Sequence, residues 1–171
     1  MTPIIAYQFN RILRGSIPFA VTFLLALISV VPTGIGVFAV VTPSFLGISV
    51  FYWSIHRPYL MSAPLVFILG VLFDFLSGGP LGLSSLLLLL IHGIAMSQRR
   101  VFVGKAFLLT WFGYIVVAFS IAVLSWIIAC LYFLSFVPLM PVIAQFLISL
   151  LIFPLFAWAF SLLQNNVLRH T

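Results

Sequence analysis

Between two apolar runs, Met61–Leu76 and Leu81–Ser97, the chain reads Gly70-Val71-Leu72-Phe73-Asp74-Phe75-Leu76-Ser77-Gly78-Gly79-Pro80-Leu81-Gly82-Leu83-Ser84-Ser85. The break Ser77-Gly78-Gly79-Pro80 is a tight turn, and Pro80 suits the start of the helix that follows. Gly70, Gly78, Gly79 and Gly82 permit that turn and a close approach of two backbones. The stretch therefore predicts an antiparallel helical hairpin whose one charged residue, Asp74, sits near the turn.

Working outward, the rest of the chain has the same character. Of its 171 residues 65% are hydrophobic and 5% charged, against roughly 45–50% (Gly included) and about 25% in soluble domains. The mean hydropathy is +1.39. A chain of 19.0 kDa cannot hide that much apolar surface from water. The composition excludes a soluble globular domain, a disordered chain and, despite a pI near 10.3, a nucleic-acid binder. The expected fold is an all-α polytopic membrane bundle.

A spanning helix needs about 20 apolar residues, so six would take roughly 120 residues and leave only short loops. The expected spans are Ile17–Val31, Gly36–Tyr52 (crossing Pro43), Met61–Leu76, Leu81–Ser97, Ala106 to beyond Leu131, and Val137–Leu163. The fifth, about 28 residues or roughly 42 Å long, must tilt or project from a hydrocarbon core of about 30 Å. Pro154 interrupts the sixth and predicts a kink. The basic residues test this topology. Arg11 and Arg14 precede span one, Arg57 follows span two, Arg99, Arg100 and Lys105 follow span four, and Arg169 follows span six. All seven fall on one side if both termini are cytoplasmic.

The chain reads as one integral membrane domain. It has a cytoplasmic interfacial segment at 1–16, a six-helix bundle at 17–163 and a cytoplasmic tail at 164–171. Within Ile4–Arg14, Ile5, Phe9 and Ile12 share one helical face and Gln8, Arg11 and Arg14 another, as in a helix lying on the membrane surface. Pro32-Thr33-Gly34-Ile35-Gly36 offers no clear cleavage site, so the first span is read as retained.

Asp+Glu is 1, which excludes two-carboxylate hydrolysis, carboxylate-bound Mg²⁺ or Ca²⁺ and multi-acid proton relays within this chain. The lone Cys130 forbids an intrachain disulfide, and His56, His92 and His170 show no zinc-ligand spacing. No cofactor or metal is expected. Asp74, at the extracytoplasmic end of span three, is a functional candidate by the cost of burying a carboxylate. It either caps the end of its helix or holds the Ser77–Pro80 turn by hydrogen bonds, with Ser84 and Ser85 at similar depth as donors, or meets a partner protein. Ser85 and His92 lie about 10 Å apart along one helix, too far for a catalytic dyad, so His92 reads as a buried histidine satisfied within the bundle.

Together these motifs resemble the MreD family of rod shape-determining membrane proteins. The residues concerned are Tyr52-Trp53, His56-Arg57-Pro58, Pro64, Gly70-x-x-x-Asp74, Ser77–Gly82 and Arg99-Arg100, then Pro154–Trp158 and Leu162-Leu163-Gln164. The family pattern falls on Gly70, Asp74, Pro80, Gly82, Arg57 and Pro58. The basic cluster after span four departs from it, being only Arg99-Arg100 with Lys105 further on. The resemblance implies a non-catalytic scaffold of the cell-elongation complex in the bacterial inner membrane. It would bind MreC and couple it to MreB, to a SEDS-family glycosyltransferase and to a class B penicillin-binding protein. It also implies a bundle similar to the substrate-binding subunits of vitamin transporters. The rival reading is such a substrate-capture subunit, with a polar pocket built from Asp74, Tyr114, Trp126 and serines.

Overall fold

The computed structural model describes residues 17–30, 44–102 and 107–167, and every element among them is helical. The helices are α1 (Ile17–Val30), α2 (Phe45–His56), α3 (Ala63–Ser77), α4 (Leu83–Ser97), the four-residue α5 (Arg99–Phe102), α6 (Phe107–Phe133) and α7 (Leu139–Val167). Residues 1–16, 31–43, 103–106 and 168–171 lie outside the described residues, and with them the interfacial helix, the end of span one, the first part of span two with Pro43, and four of the seven basic residues, Arg11, Arg14, Lys105 and Arg169.

The expected spans appear with shifted ends. The helix of span two continues to His56, that of span three begins at Ala63 and that of span four at Leu83. The last helix runs through Gln164-Asn165-Asn166 to Val167. Among the described residues only α6 and α7, about 40 and 43 Å long at 1.5 Å per residue, are by themselves long and apolar enough to cross a bilayer. Of the other five, α1 to α4 have 12–15 residues and α5 has four.

Helix α2 is the hub. Leu46 through Ile55 are all buried, as a helix apolar on every side requires, and α1, α4, α6 and α7 pack around it. Phe51 meets the Tyr114 ring of α6 at 5.4 Å and the Phe153 ring of α7 at 6.1 Å. Tyr114 and Phe153 themselves stack at 4.3 Å. The paired contacts set the directions. Thr22 bonds Ser49 at 2.7 Å, Ser54 bonds His92 at 2.8 Å, and Ser149 lies beside Ser44 while Phe160 lies beside Trp53. Thus α2, α4 and α7 run one way and α1, α3 and α6 the other, the alternation that six successive crossings demand.

Polar side chains in this core serve backbone groups that helices leave unpaired. The N–H of Ser44, at the start of α2, donates to Ser149 Oγ (2.9 Å), and the carbonyl of Ile55, at its end, accepts from Arg99 Nε (3.0 Å). Such terminal groups have no partner within their own helix. Helix α7 runs unbroken through Pro154. Proline has no N–H, so the carbonyl four residues back, that of Leu150, loses its helical donor. That carbonyl accepts instead from the indole N–H of Trp111 in α6, at 3.4 Å. Trp53 is the exception: its buried Nε1 has no partner among the described residues.

Two outcomes follow from this packing. Phe51→Ala should cost about 3–5 kcal/mol, whereas Phe112→Ala on the exposed face of α6 should stay within about 0.5 kcal/mol; denaturant titration of the purified protein in detergent compares them. Trp111→Phe should lower stability by about 1–3 kcal/mol by orphaning a carbonyl. The loss should shrink in a Pro154→Ala background, where the helix recovers its own donor.

Candidate functional site

The hairpin turn is built around Asp74. Helix α3 ends at Gly78, whose φ of +67° places it in the left-handed region and whose N–H donates to the Asp74 carbonyl at 3.1 Å, a common glycine stop. Gly82, φ +95°, precedes α4. At both positions a side chain would strain the backbone. Pro80 lies in the loop between, its carbonyl accepting from Leu83 N at 3.3 Å.

Folding the turn this way brings the first amides of α4 onto the Asp74 carboxylate. Gly82 N–H donates to Oδ2 at 2.7 Å and Ser84 N–H to Oδ1 at 3.1 Å. The carboxylate therefore caps the helix that follows its own. Negative charge at a helix N-terminus is favoured by the helix dipole and by the unpaired amides there. Asp74 is 2% exposed. The sequence pointed to serine hydroxyls as its donors, but the backbone supplies them. The Ser85 hydroxyl turns instead to the Phe67 carbonyl, at 3.4 Å.

Four residues before Asp74, Gly70 lets the two helices touch. A Cβ there would lie 2.4 Å from Ser85 Cα and 2.7 Å from Ser85 N, so any larger residue must push the backbones apart. Asp74, Gly82 and Ser84 thus form one cluster, with the Gly70–Ser85 contact beside it.

Arg57 and Pro58 lie at the other end of the bundle, in the connection after α2. Arg57 contacts the Tyr59 hydroxyl and sits 5.9 Å from that ring's centroid, and Pro58 accepts from Met61 N at 3.3 Å. Arg99 reaches the same end through its bond to Ile55. Sequence reasoning gave Arg99 to topology and to the family resemblance and missed this capping role, because the carbonyl it meets belongs to a helix 44 positions earlier.

Of the residues weighed for an outward polar pocket, Tyr114 lines a cavity of about 250 Å³ together with several serines. Asp74 is engaged by α4, and Trp126 donates to the Val137 carbonyl at 3.0 Å across the α6–α7 turn. His92 pairs with Ser54 rather than Ser85. Among the described residues no group of three His, Cys, Asp or Glu side chains is placed to hold a metal.

An all-helical bundle with two long apolar helices and a carboxylate-capped hairpin defines a helical membrane protein. Residues 9–166 match the family model of the rod shape-determining protein MreD, and the chain belongs to that family. Comparison with curated proteins and with solved structures finds no match.

Asp74→Ala should weaken the α4 cap by about 0.5–2 kcal/mol, and hydrogen exchange should quicken first at the amides of Gly82 and Ser84. Gly70→Leu should be the more damaging change, because it separates the helices along their length; a thermal melt in detergent ranks the two.

Proposed function

We propose that this protein is a non-catalytic scaffold of the bacterial cell-elongation complex, a multi-pass protein of the inner membrane that works through helix contacts. Family membership supports the rod-shape role. The partner reading extends it: the spanning helix of MreC packs against this bundle, which couples MreC to MreB and to the wall synthases, the SEDS-family glycosyltransferase and the class B penicillin-binding protein.

The observation that carries the partner reading is the outward face of the two long helices. On α6, Phe112, Val116, Phe119, Val123 and Ile127 are exposed, and on α7, Ile143, Leu147, Leu151, Leu155 and Trp158. Each series recurs every three or four residues, so each makes one continuous apolar stripe. Inside a bilayer such a stripe gains by close packing against another apolar helix. The interior polar groups, by contrast, are largely engaged with this chain's own backbone. Asp74, Gly70, Pro80, Gly82, Ser84 and Ser85 act in this reading as the parts that hold the hairpin in shape. Arg57 and Pro58 form the cytoplasmic end, where the basic residues suit anionic lipid.

Disulfide crosslinking tests the stripe. With Cys130 replaced by alanine, single cysteines at Phe119 or Val123 and at Leu151 or Leu155 are each paired with cysteines along the spanning helix of MreC, in membranes. Crosslinks at one stripe, with four-residue periodicity, are expected. Absence of crosslinks at both stripes, together with failure to co-purify in mild detergent, would sink the partner reading. Asp74→Ala should round the cells while protein levels stay normal; unaltered rods at normal levels would remove Asp74 from the function.

A further inference from the structure

The cavity of about 250 Å³ lies among α2, α4, α6 and α7, with Ser29 of α1 and Phe73 of α3 also on its wall. Its lining on α6 extends from Tyr114 to Ser125, about 16 Å at 1.5 Å per residue. On α4 it extends from Leu83 to Ile91, about 12 Å. The wall thus follows α4 and α6 lengthwise, as a slot between them.

The chemistry of the wall changes along the slot. Ser29, Ser44 and Ser84 line it near the end of α1, the start of α2 and the start of α4, all at the end of the bundle that holds the Asp74 turn. Towards the middle the wall is Leu88, Ile91, Val117 and Ala118, and the Tyr114 ring lies at the far end. Several lining hydroxyls are already spent: Ser29 donates to the Leu25 carbonyl, Ser125 to that of Ala122 and Ser149 to that of Gln145. Ser44, Ser84 and Gln145 add polar groups at the same hairpin end, while the wall from there to the Tyr114 ring is apolar and offers a polar ligand no partner over most of its length. An empty apolar slot forfeits the dispersion contacts of every residue around it. In a bilayer the medium at hand to restore them is hydrocarbon.

We propose that the slot holds one acyl chain of a bilayer phospholipid, its ester region beside the serines of the hairpin end and its methyl end at Tyr114. The chain completes the packing of α2 against α6 and α7 and makes one lipid a structural component of the bundle. The proposal rests on the bundle lying in a bilayer and is independent of any protein partner.

Photolabelling of the intact protein in vesicles tests it, with a phosphatidylethanolamine carrying a diazirine near the end of one acyl chain. Fragment mass spectrometry should place adducts on the slot residues Val117, Ala118 and Ile121, and excess unlabelled lipid should compete them away slowly. Adducts confined to the outward Val116, Phe119 and Val123 would overturn the proposal. So would labelling of the slot by a diazirine prenyl phosphate but not by the phospholipid. Ala118→Trp, which fills the slot, should cut slot labelling by about an order of magnitude, while the outward Val116→Trp leaves it unchanged. Should Ala118→Trp not fold, the wild-type labelling map decides alone.

Discussion

Hydrocarbon offers no hydrogen bonds, so every backbone N–H or C=O that a helix leaves unpaired must find its partner in the protein. This bundle meets that demand with side chains sent from one helix to the backbone of another. Ser149 of α7 accepts from the first amide of the central helix, and Arg99 donates to one of its last carbonyls. Asp74 accepts from the first amides of α4, and Trp111 donates to the carbonyl that Pro154 leaves free. Each such bond also pins the register of two helices, because it forms at one axial position only. Where shape complementarity among so many similar aliphatic faces is weakly specific, these few polar contacts choose one arrangement.

The same economy shapes what the protein can do. The chain's one acidic residue has its carboxylate bound by the next helix. What the chain presents outward is apolar relief along α6 and α7, long enough to cross a membrane, around a central helix buried from Leu46 to Ile55. In the proposed role that face serves other helices and lipid, in keeping with a family defined by cell shape.

Much of the hairpin was legible before folding. Glycine and proline mark the turn through backbone permission alone, and the long apolar run after Lys105 appears as a 27-residue helix. The capping scheme was less so. Asp74 was conspicuous as a lone acid, yet its donors are amides that sequence does not distinguish from any others. The link between Trp111 and Pro154 spans 43 positions and depends on how α6 lies against α7. Helix ends moved by two to four residues where a turn or a cap, rather than hydropathy, stops the helix, as at Ala63 and Leu83.

The sequence by itself determined the medium, the helical class and the hairpin, because composition, apolar run length and turn residues act locally and are read one segment at a time. The MreD resemblance, carried by motifs spread along the chain, was legible there too. Only the tertiary structure decided that α2 is the hub, that Ser54 and not Ser85 meets His92, and that a cavity remains among the helices. Those outcomes depend on which faces meet, and apolar faces of nearly equal hydropathy carry no label saying which neighbour each will take.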